Sequence, residues 1–328
     1  MRSMAIALLL LFGLTLPAEE LYVSNERDGT IEVIDTATDR IVATTRVGNR
    51  PRGMALAPDG KRLYIAVSWW RDGKRPRTGN EAIVALDTKT RKVTRAYTAG
   101  GTDPECVAIT ADGRHLYLSN EDAGTASIVD VRSGKHLATL VVGTEPEGVA
   151  TSPDGRWTYV TTETSNVITV IDAKTHKVAA NILVDARPRV AIFTRDAKRA
   201  WATAELGGTV MLVDAQKHRV IRRIKLRPND KPVGLALSPD ERRLYVATGR
   251  GNSVAVIDTA TMKVLATIPT EGERVWGIAA TSDGKKVYAA NSITNTIAVI
   301  DTATNRVTRL IAAGDGPWAL TRSGRSGR

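Results

Sequence analysis

Apolar residues in this chain recur in short runs of alternating character, and polar turns separate the runs. The segment after Pro146 shows the unit, in which "GVATS", "TYVTT", "VITVID" and "KVAANILV" follow one another, each bounded by turn residues. Alternation with a period of two over short runs predicts β-strands. Since no segment has the period of an amphipathic helix, the pattern predicts an all-β chain with four strands in each unit.

Three landmarks show that this unit occurs seven times. An apolar triplet ending in aspartate recurs at Asp35, Asp87, Asp130, Asp172, Asp214, Asp258 and Asp301, in steps of 52, 43, 42, 42, 44 and 43 residues. An aromatic landmark lies at Tyr22, Tyr64, Tyr117, Tyr159, Trp201, Tyr245 and Tyr288, and a turn landmark at Pro51, Pro104, Pro146, Pro188, Pro232, Val275 and Pro317. Four strands in a unit of this length are typical of a propeller blade. We predict a seven-bladed β-propeller of four-stranded antiparallel blades.

The two ends of the chain indicate how the ring would close. The repeat begins at the second strand of a blade and finishes with a first strand, "WALT", in the last copy. One blade is complete only if this C-terminal strand joins the three N-terminal strands, which would cover the open edges of the ring. We assign the propeller to residues 19–322 and a short basic tail to residues 323–328.

The N-terminus has the pattern of a secretory signal peptide. Arg2 precedes an apolar run from Met4 to Leu16, and Ala18 stands before an acidic pair. The run is too short for an ordinary transmembrane helix, so we expect residues 1–18 to be removed and the protein to be periplasmic. We expect no transmembrane segment in the mature chain.

Composition narrows the classes of partner. The chain carries 46 basic and 35 acidic residues, which favours anionic partners in general. Its basic residues are scattered singly along the repeats, which argues against nucleic-acid binding. A single cysteine, Cys106, cannot form an intrachain disulfide, and it occupies a column of small residues in the other repeats, which favours a structural role.

The repeats resemble two sets of known proteins. "YVSN", "LYIAV", "LYLSN", "TYVTT" and "LYVAT" are similar to the YVTN-type propeller repeat. Longer segments, among them "YVSNERDGTIEVIDTAT", "EPEGVATSPDG" and "GPWALT", resemble the periplasmic seven-repeat propellers associated with PQQ-dependent alcohol catabolism. That resemblance implies a non-catalytic accessory of a quinoprotein dehydrogenase, a cytochrome or a transporter component. It assigns no cofactor, and we expect a monomer.

A site is expected on the face of the propeller that carries the variable loops. One residue past each turn landmark should line the channel mouth, which gives Arg52, Glu105, Glu147, Arg189, Trp276 and Trp318. Four residues past the aromatic landmark, somewhat farther out, the chain places Glu26, Glu121, Glu163 and Glu205. Carboxylates, arginines and two tryptophan platforms could bind a small polar ligand. The alternative is a set of structural salt bridges, such as Arg52 with Glu105 and Glu147 with Arg189.

The second blade contains an insert on the same face. Residues 69–80, "WWRDGKRPRTGN", combine adjacent tryptophans with basic residues, which are the types enriched at interface hot spots. We predict a partner contact there; a disordered basic loop is the alternative. The contact residues would be Trp69, Trp70, Arg71, Lys74, Arg75 and Arg77.

The sequence offers little catalytic chemistry. His136, His176 and His218 fall in equivalent turns at the rim of successive blades, too far apart to bind one metal ion, and no haem-attachment motif is present. We therefore expect no catalytic residue, no metal and no cofactor. Two other functions remain open: a metal-assisted lactonase or lyase that uses loop-face acids such as Glu105, Glu147 and Glu163, and a pure protein-interaction scaffold.

Overall fold

A computed structural model describes residues 19–68 and 82–324 of the chain. The predicted signal peptide, the proposed contact residues of the insert and residues 325–328 of the tail lie outside these described residues. Within the described part, the chain forms 28 strands and no helix. This described part therefore contains no helix that could cross a membrane.

The strands follow the repeat in chain order. Strands β1 to β7 are Glu20–Asn25, Thr30–Asp35, Arg40–Arg46, Pro51–Leu56, Arg62–Val67, Ala82–Asp87 and Val93–Thr98. Strands β8 to β15 are Pro104–Ile109, His115–Asn120, Thr125–Asp130, His136–Val141, Pro146–Thr151, Trp157–Thr162, Val167–Asp172 and Lys177–Leu183. Strands β16 to β23 are Pro188–Phe193, Arg199–Ala204, Thr209–Asp214, Arg219–Lys225, Leu235–Leu237, Arg243–Ala247, Ser253–Asp258 and Lys263–Pro269. Strands β24 to β28 are Val275–Ala280, Lys286–Asn291, Thr296–Asp301, Arg306–Ala312 and Pro317–Arg322.

These strands build seven antiparallel sheets of four strands, so the predicted seven-bladed propeller is confirmed. The second to seventh blades use four consecutive strands each, from β4–β7 through β24–β27. The first blade has the order β28-β1-β2-β3, and Tyr22 of β1 pairs with Thr321 of β28. The C-terminal strand therefore joins the three N-terminal strands, and the ring is closed as predicted.

The innermost strands pack closely around the channel, which explains the column of small residues. A Cβ atom added to Gly277 would lie 2.3 Å from the carbonyl oxygen of Trp318, and one added to Gly148 would lie 2.4 Å from that of Arg189. Cys106 occupies the same column in the third blade, beside Gly53 of the second. Burial raises the pKa of the Cys106 thiol, which disfavours the reactive thiolate and supports a structural role.

Aromatic side chains of the second strands fill the junctions between blades. Five tyrosines of the aromatic landmark are fully buried, namely Tyr22, Tyr64, Tyr117, Tyr159 and Tyr288. The hydroxyl of Tyr117 lies 3.0 Å from Nδ1 of His176 in the following blade, and that of Tyr159 lies 3.1 Å from Nδ1 of His218. These two histidines thus contact the tyrosines of the preceding blade. The sequence did not reveal that the ring of His115 lies 5.1 Å from that of His176, measured between centroids.

The turns between third and fourth strands are built alike. In the fourth blade, Oδ1 of Asp172 accepts hydrogen bonds from the backbone N–H groups of Lys174 and Thr175, at 3.0 and 2.7 Å. Such turns satisfy the backbone locally and offer little variation between blades. The opposite face, where the second strands end and the first strands begin, holds the variable side chains.

Candidate functional site

The predicted mouth residues lie at the second position of the innermost strands. Arg52, Glu105, Glu147, Arg189, Trp276 and Trp318 are all buried there. The acids that follow the second strands are also present on this face, with Glu163 and Glu205 buried and Glu26 and Glu121 half-buried. The structure brings most of these side chains together in two arginine–carboxylate clusters.

The first cluster surrounds Arg52, between the first and third blades. Nη2 of Arg52 donates to Oε1 of Glu26 at 2.9 Å, and its Nη1 donates to Glu105. Arg50 joins the same carboxylates, with Nε 3.0 Å from Glu26 and Nη2 3.3 Å from Glu105, and it also contacts Asp103. Burial alone would raise the pKa of Glu26, but the guanidinium groups of Arg52 and Arg50 hold it below its usual value.

The second cluster surrounds Arg189, between the fourth and fifth blades. Arg189 contacts three buried carboxylates: Glu147 at 3.2 Å, Glu205 at 2.7 Å, and Glu163. Arg187 adds a second guanidinium, with Nε 2.5 Å from Glu163 and 3.4 Å from Glu205. Both predicted salt bridges, Arg52–Glu105 and Arg189–Glu147, are therefore formed, each within a larger network.

The two tryptophans form a continuous stack with arginine side chains. The ring centroids of Trp276 and Trp318 are 4.1 Å apart, with an interplanar angle of 34°. The guanidinium of Arg52 lies 4.2 Å from the Trp318 centroid, and those of Arg189 and Arg274 lie 5.1 and 4.9 Å from that of Trp276. These rings thus already stack on each other and on cations, where the sequence suggested platforms open to a ligand.

One acid of the mouth stands apart from the arginine networks. The carboxylates of Glu121, Asp103 and Glu105 offer oxygen atoms within 4.8 Å of one another. Burial, followed by the negative charge of Glu147, raises the pKa of Glu121 to about 7. A carboxyl with such a pKa can exchange a proton near neutral pH, which is the property of a general base.

The same three oxygens could bind a hard cation such as Ca²⁺. Asp103 and Glu105 already contact Arg50 and Arg52, so a cation would have to compete with two guanidinium groups. The sequence offered Glu105, Glu147 and Glu163 as examples of acids for the metal-binding alternative, and of these only Glu105 belongs to the three-carboxylate group. Arg189 contacts both Glu147 and Glu163, and within the described ranges those two do not belong to a carboxylate group with metal-ligand spacing.

Sequence reasoning missed the residue that precedes each innermost strand. Arg50, Asp103, Glu145, Arg187 and Arg274 all have positive φ angles, between 50° and 61°. Few residues other than glycine adopt this conformation, which is found at sites where the surrounding structure fixes the backbone. The signal in the sequence was a charged residue immediately before the turn landmark in six of the seven blades.

Comparisons with known proteins agree with the fold. A family model described as "Choice-of-anchor I domain" matches residues 22–184, and one described as "Lactonase, 7-bladed beta-propeller" matches residues 175–317. Each covers less than half of the chain. Among curated protein sequences there is no significant match.

Solved structures of the same fold come from proteins of different function. The periplasmic gluconolactonase of Pseudomonas aeruginosa is 20% identical, with a TM-score of 0.78 over 94% of this chain and 99% of that one. Hydrazine synthase of Kuenenia stuttgartiensis is 22% identical, with a TM-score of 0.68 over 84% and 91%. The dihydro-heme d1 dehydrogenase NirN is 15% identical, with a TM-score of 0.68 over 94% and 75%. At these identities the likeness concerns the fold alone.

Proposed function

We propose that this protein is a periplasmic, non-catalytic binding accessory of PQQ-dependent alcohol oxidation, with the channel mouth as its ligand-binding surface. The observation that carries the proposal is the fixed polar surface around Arg52 and Arg189, which are each held by several carboxylates and stacked on tryptophan. Side chains fixed in this way lose little freedom when a ligand binds, so the surface is pre-organised for binding. The resemblance of the repeats to PQQ-associated propellers supplies the physiological setting.

Two observations support a periplasmic location. Residues 1–18 have the pattern of a signal peptide, and the gluconolactonase that shares this fold is a periplasmic protein. N-terminal sequencing of the protein from the periplasmic fraction should begin near Glu19. A chain that retains Met1 and stays with the cytoplasmic fraction would contradict this part of the proposal.

We assign partner binding to the insert and propose a quinoprotein dehydrogenase, a cytochrome or a transporter component as the partner of a monomeric propeller. The basic net charge of the chain, +11, favours an acidic partner surface. Trp69, Trp70 and the neighbouring arginines are the residue types that dominate binding energies at interfaces.

A deletion strain tests this function directly. We expect periplasmic extract from the strain to reduce an artificial dye more slowly with a primary alcohol as substrate, since the dehydrogenase lacks its accessory. Purified wild-type protein should restore the rate, and a Trp69→Ala, Trp70→Ala double variant should not. An Arg223→Gln variant, changed on an outer strand, is the matched control and should restore it fully. An unchanged rate in the deletion extract would refute the accessory function.

A second function, a lactonase, is favoured by one observation: the proton-accepting carboxyl of Glu121 in the acidic cluster. The match of residues 175–317 to a lactonase family supports it. In this reaction Glu121 would take a proton from water while the oxygen attacks the lactone carbonyl. The ring C–O bond then breaks, and the alkoxide leaving group takes up a proton to give the hydroxy acid.

Hydrolysis of glucono-δ-lactone in a pH-stat tests the second function. If Glu121 is the base, Glu121→Gln should lower kcat by about 100-fold or more, which is the usual contribution of general-base catalysis. Glu271→Gln, an exposed acid outside the cluster, is the control. Rates with and without added Ca²⁺ would report whether the three carboxylates use a cation. Hydrolysis no faster than in buffer would eliminate the lactonase.

A further inference from the structure

Two positions in each blade determine how charges are paired at the mouth. The first position immediately precedes the turn landmark at the innermost strand, and the second position lies immediately after the second strand of the blade. Arg50 forms an ion pair with Glu26 of the preceding blade. Arg187 forms ion pairs with Glu163 of the preceding blade and with Glu205 of its own blade. An arginine at the first position is therefore paired when the second position of its own or the preceding blade is an acid.

Arg274 is the arginine for which this pairing is missing. In the seventh blade the second position is Ser292, whose N–H and hydroxyl both donate to the carbonyl oxygen of Arg274 at 3.1 Å. In the sixth blade it is Gly249, whose carbonyl oxygen accepts from the N–H of Val275. Neither residue offers a carboxylate. Among the described residues, no hydrogen bond or ion pair reaches the guanidinium of Arg274.

The guanidinium of Arg274 is nevertheless fixed in place. Its backbone N–H donates to Oδ1 of Asn252 at 2.8 Å, and its side chain stacks on Trp276. Its Nε is buried without a hydrogen-bond partner, while the side chain as a whole remains partly exposed. A half-buried cation that lacks an acceptor is costly, and an anion bound to it would offset that cost.

The carboxylates near Arg274 are paired with other arginines, so its charge favours an anion from outside the protein. Burial, together with the positive charge of Arg250, lowers the pKa of Arg274. The carboxylates whose charge reaches Arg274, Glu205 and Glu26, are bonded to Arg189 and Arg52. We call this side of the mouth, defined by Arg250 and Arg274, the cationic sector.

We infer that Arg274, assisted by the exposed Arg250, binds the carboxylate group of a small organic acid at the cationic sector. The inference rests on the proposed ligand-binding function of the mouth and names its ligand class. A planar carboxylate matches the planar donors of a guanidinium and can lie beside the Trp276 ring on which Arg274 stacks.

Titration with gluconate, followed by calorimetry and by tryptophan fluorescence, tests the inference. Sorbitol is the neutral probe, because it has the same six-carbon chain as gluconate with a hydroxyl in place of the carboxylate. Inorganic phosphate is the non-planar anion. We expect saturable gluconate binding, at least tenfold weaker binding of sorbitol and phosphate, and at least a tenfold loss of gluconate affinity in Arg274→Gln. Arg274→Lys should recover part of it, since the charge returns without the planar donors. Arg306→Gln, an exposed arginine of the same blade, should bind like wild type.

Several results would overturn the inference. They are equal gluconate affinity in Arg274→Gln and wild type, equal binding of gluconate and sorbitol, tighter binding of phosphate than of gluconate, and no gluconate binding at millimolar concentrations. If Arg274→Gln does not fold, Arg250→Gln provides the test, because its side chain is exposed and it should still weaken gluconate binding. The dye-reduction assay with the deletion strain judges the accessory function independently, so failure of one proposal does not imply failure of the other.

Discussion

Removal of the Arg189 guanidinium should strongly destabilise the propeller. The side chain of Arg189 is 8% exposed and contacts Glu147, Glu163 and Glu205, which are themselves buried. Arg189→Met keeps most of the side-chain volume but leaves three buried carboxylates without their shared cation. Breaking a buried ion pair by removing one partner costs about 3–5 kcal/mol, and we expect a loss in the free energy of unfolding within that range. Urea unfolding, followed by circular dichroism and tryptophan fluorescence, measures it.

A change of pH separates this explanation from a simple packing defect. Protonation removes an uncompensated negative charge, so the loss in Arg189→Met should be smaller near pH 5 than near pH 8. Arg223→Met is the matched control, because Arg223 pairs with Asp185 at 2.9 Å with about half of its side chain exposed. Such a surface pair contributes about 0–1 kcal/mol. A loss in Arg189→Met no larger than in Arg223→Met, or one independent of pH, would refute the reasoning.

Three further predictions concern single features. Wild type should lose stability as the pH rises from about 4.5 to about 7, because over this range Glu121 is ionised in the unfolded chain and protonated in the folded protein. Glu121→Gln should therefore be more stable than wild type at pH 8 by about 1 kcal/mol, measured by urea unfolding. Burial lowers the pKa of His218, so the stability of wild type should fall as the pH drops below 6.5. Over the same pH range, the melting temperature of His218→Asn should fall less than that of wild type. A chain ending at Gly316 lacks β28 and the buried Trp318, and calorimetry should show loss of cooperative unfolding; an unchanged transition would contradict the role of ring closure.

The fold could be predicted because the signal is repeated seven times. Each landmark lies at a fixed place in a strand, so Asp172 and its equivalents mark the same turn in every blade. The insert in the second blade lengthens one spacing between successive landmarks, and the other spacings stay nearly constant. Ring closure followed from the order of landmarks at the ends, and the pairing of Tyr22 with Thr321 confirms it.

The site could be predicted only in part. The repeat pattern shows where a residue lies in its blade, but it does not show which side chains that residue contacts. The offset from the turn landmark placed Arg52 and Arg189 correctly at the mouth, and both predicted ion pairs are formed. The same offset could not show that Trp276 and Trp318 stack on each other, since that depends on side-chain rotamers at the junction of the seventh and first blades. Nor could it show the positive φ angle that directs Arg50 towards Glu26.

The charges at the mouth follow from which residue types neighbouring blades present. Around Arg52 and Arg189, acids and arginines alternate, and each guanidinium meets several carboxylates. At Glu121 the neighbouring positions are Asp103 and Glu147, so an acid meets acids and its pKa rises to about 7. At Arg274 the neighbouring positions are Gly249 and Ser292, so a cation meets no acid. A scaffold that needed only internal salt bridges would gain stability by pairing both, and the two exceptions are therefore the places where an external ligand or substrate would complete the set of contacts.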